Sequence, residues 1–584
     1  MTTSLLDADS LLAIDVGEIN TRALLFDVVE GHYRFLAAGT AASTVGAPYH
    51  DIGEGVRMAL DNLQVASGRP LISPDERLIM PATENGSGTD TFVATVSAGP
   101  PLKIALVGLL EDVSVESAQH LATTTYAKVV KSFSLNDRLR SEERIDAILK
   151  LRPDVIVVTG GTDHGASQSV LKMVESIGLA CYLFPESQRP IVLYAGNQAL
   201  AEDVQSSLKP ITTVLVAPNL RPVLEMEQLS PAHKEVVEIY RTVRSRQIAG
   251  ITELGGWAGD DLYPTATAFG RIVRFLSGFY DPAKGVLGLD VGASATTIAA
   301  SFSGDLNLGV YPELGLGSGI TGMLECVPLN DVARWIPLEI HKNEIHDYVF
   351  NKSLAPGSLP VTAEDLAIEQ ALAQQAMRTA LKRISSTFPK NYGYTGMNLT
   401  PWFEPIVAAG SVLTRAPTLG QATMMLLNAL QPTGITTIVL DQNNIAAPLG
   451  AAARINPTLV VQILESSTFI NLGTVISPLS NTRFGTPILR VKIRYESGEE
   501  ASVDVKQGAI EVLRLPLGQS AQLQLQPFHR ADVGMGGAGR GGRLKVMGGA
   551  LGVVIDARGR PLHLPEDDGH RRDLLKKWLW TLGG

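Results

Sequence analysis

Apolar residues come in short runs that stop at glycine, where a strand must turn sharply. Leu11–Gly17, Arg22–Asp27 and Tyr33–Ala38 follow one another closely and predict a meander of strands. From Asp51 to Ala66 the apolar positions are Ile52, Val56, Leu60 and Leu63, a helical period with Asp51 as N-cap. Lys103–Gly108 then reads as a strand, and Ser114–Tyr126 and Ser141–Leu151 read as helices. Pro153–Thr159 is a continuous apolar run of the kind buried in a parallel sheet. Gly160–Gly165 ends it, a helix to Ile177 follows, and Pro190–Ala195 is the next strand, stopped by Gly196 and Asn197. Strands alternating with helices predict the α/β class, with ligands at the C-terminal ends of strands.

The stretch 200–280 reads as more helical, and Gly285–Gly292 opens a second group of strands. Residues 361–384 are helical, and Glu404–Ala409 and Thr436–Asp441 are strands with a helix between them. Past residue 470 the period changes to two in Ile488–Tyr495, Ala501–Val505 and Ala521–Leu525, which predicts an all-β appendage. The glycine-rich run Gly534–Gly542 reads as a flexible loop within it. The expected domains are therefore 1–280 with an inserted α/β segment, 281–470, and a β-rich appendage 471–584 that ends in a short basic helix.

Composition narrows the class. The chain has 584 residues, 45% hydrophobic and 18% charged, which fits a globular protein and excludes a wholly disordered one. A formal charge of −10 argues against broad nucleic-acid binding. No apolar run reaches the roughly 18 residues of a membrane-spanning helix, and acidic residues stand where a secretion signal needs a basic start. A cytoplasmic protein is expected. Cys181 and Cys326 are the only cysteines, too few for a disulfide framework or a four-cysteine zinc site, and Cys181 reads as inert core. The histidines show no metal-binding spacing.

One motif occurs twice. Leu-Ala-Ile-Asp15-Val-Gly17-Glu-Ile-Asn20-Thr21 and Leu-Gly-Leu-Asp290-Val-Gly292-Ala-Ser-Ala-Thr296-Thr297 share an apolar strand, Asp, Val, Gly, three residues and Thr. Glycine lets the amides of a tight turn approach phosphate oxygens, and Thr21 and Thr296 carry hydroxyl donors. Asp15 and Asp290 repel a phosphate directly, so their place in such a turn makes sense with a hydrated Mg²⁺ between carboxylate and phosphate. Two such turns across a cleft would clamp a nucleotide tail and couple its state to the angle between domains.

This pattern resembles the actin-like ATPase superfamily of sugar kinases, heat-shock chaperones and cell-division actins. The resemblance implies two actin-like, ribonuclease H-like domains around a nucleotide cleft, with ATP and Mg²⁺ as cofactors. Gly317 and Ser318, in Leu314-Gly-Leu-Gly-Ser-Gly, resemble the glycine turn after the second phosphate loop. Gly410 and Ser411, ending Glu404-Pro-Ile-Val-Ala-Ala-Gly-Ser, resemble the adenosine loop. Asn443-Asn-Ile-Ala-Ala-Pro-Leu-Gly-Ala-Ala-Ala453 resembles the small-residue interdomain helix. Pro153-Asp-Val-Ile-Val-Val-Thr-Gly-Gly-Thr-Asp163-His-Gly165, Pro190–Asn197, Pro264–Ala268, Leu440–Asn443 and Asn471–Val475 are similar to one branch, the MutL/GlmL proteins known as accessory factors of glutamate mutase. That narrower resemblance implies a nucleotide-dependent accessory or reactivating protein for a cobalamin-dependent mutase, with a protein partner. The chain departs from the branch at Ala293, where a glycine is usual, at Ile298 after the threonines, and at Pro100-Pro101.

Other readings stay open at this level. Asp163 is either a water-positioning carboxylate or a plain helix N-cap. Glu313 reaches the cleft or is a solvated loop acid, and Asp556 with Arg558 or Arg560 reads as a structural ion pair. Residues 571–584 form an amphipathic basic helix that packs on the appendage, docks a partner or touches a membrane surface. An actin-like scaffold of the cell-division or pilus-assembly type and a small-molecule kinase are the alternative functions.

Overall fold

The computed structural model describes residues 9–393 and 399–584. The chain opens with the antiparallel meander β1 (Leu11–Val16), β2 (Asn20–Val29) and β3 (His32–Ala42). The helix Gly53–Ser67 covers it, and Asp51 accepts the Gly53 amide at 2.8 Å, one residue before the N-cap Ile52. β4 (Thr91–Val96) then joins β1 in parallel. Alternation along β1 feeds two layers. Leu11 and Ala13 enter one hydrophobic core, and Leu12, Ile14 and Val16 enter another. Asp15 therefore leaves the strand on the side of Leu11 and Ala13.

The chain next builds a separate parallel sheet of β5 (Leu102–Val107), β6 (Ala127–Phe133), β7 (Val155–Val158), β8 (Ile191–Tyr194) and β9 (Val214–Val216), in the order β6-β5-β7-β8-β9. The helix expected over Ser114–Tyr126 is shorter. A π-turn at Glu111–Val115 leads into Glu116–Ala122, and the β-branched run Thr123-Thr124-Thr125 ends it so that β6 can begin. After the helices Ser230–Gln247 and Ile251–Ala258, β10 (Leu262–Pro264) returns to pair with β4. The first sheet is β3-β2-β1-β4-β10.

The second half repeats this plan. β11 (Gly285–Val291), β12 (Thr296–Phe302) and β13 (Asp305–Tyr311) form the meander, and β14 (Phe403–Ala409) and β15 (Gly434–Leu440) add in parallel. The order β13-β12-β11-β14-β15 matches the first sheet strand for strand and sense for sense. Two such sheets are the duplicated actin-like, ribonuclease H-like architecture. Between them the helices Thr265–Ser277 and Ala446–Ala452 cross. A Cβ on Gly450 would overlap the Ala268 carbonyl oxygen, so only glycine permits this approach.

Sheet membership cuts across residue 471. β16 (Ile470–Ser477) extends the second sheet at β15. β17 (Pro487–Tyr495) and β18 (Glu500–Lys506) belong to a separate four-stranded sheet, ordered β18-β17-β20-β21, which β20 (Ser520–Pro527) and β21 (Gly542–Met547) complete. β19 (Ile510–Leu513) and β22 (Val553–Asp556) return to the second sheet beside β16. The final helix, Asp568–Thr581, buries Leu575 and Trp578 in the second core, and the Trp578 indole donates to the Gly508 carbonyl at 2.9 Å. Among the described residues no helix is long and apolar enough to cross a membrane.

Candidate functional site

The two repeated turns have the same local cause. In the first, the Gly17 amide donates to the Asn20 carbonyl at 2.9 Å, and a Cβ on Gly17 would sit 2.8 Å from that oxygen. In the second, the Gly292 amide donates to Ala295 at 3.0 Å. Both glycine amides are thus spent on closing the turn. The next amides, of Glu18 and Ile19 in one turn and of Ala293 and Ser294 in the other, have no acceptor among the described residues. All four residues line one cavity of about 170 Å³ between the two sheets.

Of the positions singled out in the sequence, Asp15, Gly17, Asn20, Asp290, Gly292, Gly410 and Ser411 line this cavity. Gly410 has φ +105° and a Cβ there would strike the Val291 backbone, so β14 runs tight against β11 where the two turns meet. Its amide donates to Asn444 Oδ1 at 3.0 Å. Thr21, Thr296 and Thr297 are buried beside the cavity and do not line it. Thr296 donates its hydroxyl to the Leu314 carbonyl at 2.7 Å, and the Thr21 hydroxyl is buried with no partner among the described residues. Gly317 and Ser318 also stand outside the lining, but the Ser318 amide donates to Glu18 Oε1 at 3.0 Å, joining the lips of the two domains.

The carboxylates differ sharply in their surroundings. Asp15 Oδ1 accepts from Thr95 at 2.7 Å and Thr265 at 3.2 Å, and Oδ2 accepts from Arg22 Nη1 at 3.2 Å. Arg22 stands directly opposite Asp15 in the β1–β2 ladder, whereas Asp290 stands opposite Thr297 in β11–β12. Asp290 has no hydrogen-bond or ion-pair partner among the described residues. Burial, and then the Asp15 and Asp441 charges, push its carboxyl up to about 7 against the pull of Arg22. Asp441 is raised by burial to about 6, although it accepts the Ile445 and Ala446 amides at 3.0 and 2.8 Å and so fastens the start of the helix Ala446–Ala452.

Asp163 lies elsewhere. Its Oδ1 accepts from Asn219 Nδ2 at 2.9 Å and the Gln198 amide at 3.1 Å, tying together loops of the inserted sheet. The helix that follows begins at Gln168, so Asp163 is not its N-cap either. Glu313 pairs with Arg383. The sequence reading missed Arg22, Thr95, Thr265, Asn444 and Lys352 as parts of this site. Arg22 was within reach, because a hairpin at Gly17 pairs it with Asp15. Thr265 stands in the family-like segment Pro264–Ala268, but nothing local ties it to Asp15, which it meets across 250 residues.

A family model described as MutL protein matches residues 11–468. Protein MutL of Clostridium tetanomorphum is 24% identical over 220 residues, 36% of this chain and 45% of its own length, so the match spans less than half of that relative. Among solved structures, a diol dehydratase-reactivating factor in nucleotide-free form aligns at 11% identity and TM-score 0.31, over 77% of this chain and 100% of its own. The activator of the 2-hydroxyisocaproyl-CoA dehydratase from Clostridium difficile, with bound ADPNP, aligns at 10% identity and TM-score 0.27, over 77% of this chain and 95% of its own.

Proposed function

The chain belongs to the MutL protein family, and on that premise we propose that it is an accessory or reactivating ATPase acting on a protein partner. The finer reading of that partner is a cobalamin-dependent glutamate (methylaspartate) mutase. One observation carries the ATPase reading. Two kindred turns, on strands in equivalent positions of separate sheets, open into the same cavity.

ATP would supply a transferable phosphoryl group there, and Mg²⁺ would screen the phosphate charge. The amides of Glu18, Ile19, Ala293 and Ser294 offer donors to phosphate oxygens from both sides. Arg22 contributes a fixed positive charge beside the first turn, and Lys352 and Arg415 line the side of the second. The residues fit a hydrated cation. Asp290 presents an unpartnered carboxylate whose raised pKa a divalent ion would relieve. Among the described residues no group of three or more metal-type side chains is assembled, so the ion would be held mainly by phosphate and water. Of the two carboxylates proposed for Mg²⁺, Asp290 is free to receive its water, whereas Asp15 is already engaged by Arg22, Thr95 and Thr265. Gly410 and Ser411 leave backbone bare for a flat nucleoside. Closure about the Gly450–Ala268 crossing would pass the state of the phosphates to the partner.

Titrating ATP against wild type, Asp290→Asn and Asp15→Ala, with and without Mg²⁺, tests this reading. The Mg²⁺-dependent part of the affinity is expected to fall at least about tenfold in Asp290→Asn. Equal affinity in all three proteins overturns the placement of the nucleotide.

A further inference from the structure

The inserted sheet holds a second cavity of about 210 Å³. Its strand order, β6-β5-β7-β8-β9, reverses direction between β5 and β7, and all its pairings are parallel. At such a switch point the loops after neighbouring strands run to opposite faces of the sheet and leave a crevice at the C-terminal ends. The cavity lies in this crevice. Leu109, Leu110 and Val113 wall it after β5, the turn Gly160–Thr162 after β7, and Leu220 and Leu224 after β9.

The turn is fastened through its carbonyls. Gly160 accepts from the Asn197 amide at 3.1 Å and Gly161 accepts from Asn219 Nδ2 at 2.9 Å. The consecutive amides of Gly160, Gly161 and Thr162 have no acceptor among the described residues. With φ of +118° and +73°, the two glycines shape a concave row of donors, a conformation that L side chains avoid. Most polar side chains nearby are already engaged. Thr159 donates to the Ser114 carbonyl at 2.8 Å, and Arg221 Nε donates to Ser117 at 2.7 Å while its guanidinium faces Glu227. The open polar features are therefore the row of amides and the Thr162 hydroxyl, and the walls are mainly leucine and valine. Asp163 follows the turn and Glu111 and Asp112 stand between Leu110 and Val113, negative charge that weighs more heavily against a doubly charged phosphate than against a singly charged or neutral acceptor.

We propose that this cavity binds a small carboxylate or carbonyl compound, its acceptor head on the amides of Gly160–Thr162 and its aliphatic or aromatic body against Leu109, Val113 and Leu220. The inference does not depend on the nucleotide cleft. Fluorine NMR of para-trifluoromethylbenzoate with the full chain tests it, with the neutral para-trifluoromethylbenzyl alcohol as comparison. Saturable broadening of the benzoate is expected, with the alcohol bound several-fold more weakly. Leu224 is 53% exposed at the rim, so Leu224→Glu is expected to weaken the benzoate about tenfold with an unchanged melting temperature. Leu109→Trp fills the cavity and is expected to do the same. Absence of saturable binding, or binding undiminished in both variants, overturns the site. Equal binding of benzoate and alcohol overturns the role of the amides.

Discussion

Asp290 and Arg22 carry the charge difference between the two repeated turns. Asp290 takes up its proton near pH 7 in the folded protein, against 3.8 in an unperturbed chain. Its ionisation therefore costs stability as pH rises from about 4 to about 7, and the cost is complete above that range. Asp290→Asn removes the cost. The variant is expected to melt above wild type at about pH 8, by at most a few kcal/mol, and to match it near pH 4, as calorimetry at the two pH values would show. Arg22 works in the opposite sense, because its charge offsets Asp15 and lowers Asp290. Arg22→Ala is expected to destabilise the fold by on the order of 3 kcal/mol at pH 8, and by less at pH 5 where Asp290 is protonated. Urea unfolding at both values measures the difference.

At the scale of elements, the crossing of Thr265–Ser277 with Ala446–Ala452 depends on Gly450. A side chain there meets backbone, which cannot swing aside as a side-chain tip can. Gly450→Val is expected to cost more than about 2 kcal/mol and to weaken ATP binding by wedging the two domains apart, readable by thermal unfolding and titration. A second anchor is the fully buried group Asp556, Arg558 and Arg560 on the strand β22 and the turn after it. Burial alone would raise the Asp556 carboxyl, but the two arginines override it and hold it well below the usual carboxylate range. Arg558 also bonds Asn428 at 2.6 Å and lies over the Trp578 ring, so it seats the final helix. Asp556→Ala leaves two cations buried and is expected to cost about 3–5 kcal/mol, with limited proteolysis then cutting before residue 568. The repeated turns were legible in the sequence because Asp-Val-Gly after an apolar run carries its signal within a few residues. β4 and β10 were not. Their hydrophobic runs are short, and their position is fixed by pairing with β1 and with each other across 80 and more residues. The same distance hid Thr95 and Thr265, which matter only once those strands lie beside Asp15. The final helix was read correctly as a helix, but period and charge do not say that Leu575 and Trp578 turn inward.

One of the hydrophobic cores runs across several parts of the molecule. A single cluster joins Leu11 of β1, Leu106 and Leu193 of the inserted sheet, Val310 of β13 and Leu449 of the helix Ala446–Ala452. Nucleotide bound in the cleft is therefore expected to be felt on both sides. ATP with Mg²⁺ at a hundred times its Kd adds about 2.7 kcal/mol to stability, and hydrogen exchange is expected to slow together in Thr265–Ser277 and Ala446–Ala452. Slowing on one side alone would contradict a shared cleft. The duplication is also unequal in a way that matters. Arginine faces the aspartate of one turn and threonine faces the aspartate of the other. Jaws of matching charge would grip a row of phosphates equally well forwards or backwards. With an arginine-paired aspartate at one turn and an unpartnered aspartate at the other, the two jaws are not interchangeable, and the cargo gains a preferred way to lie.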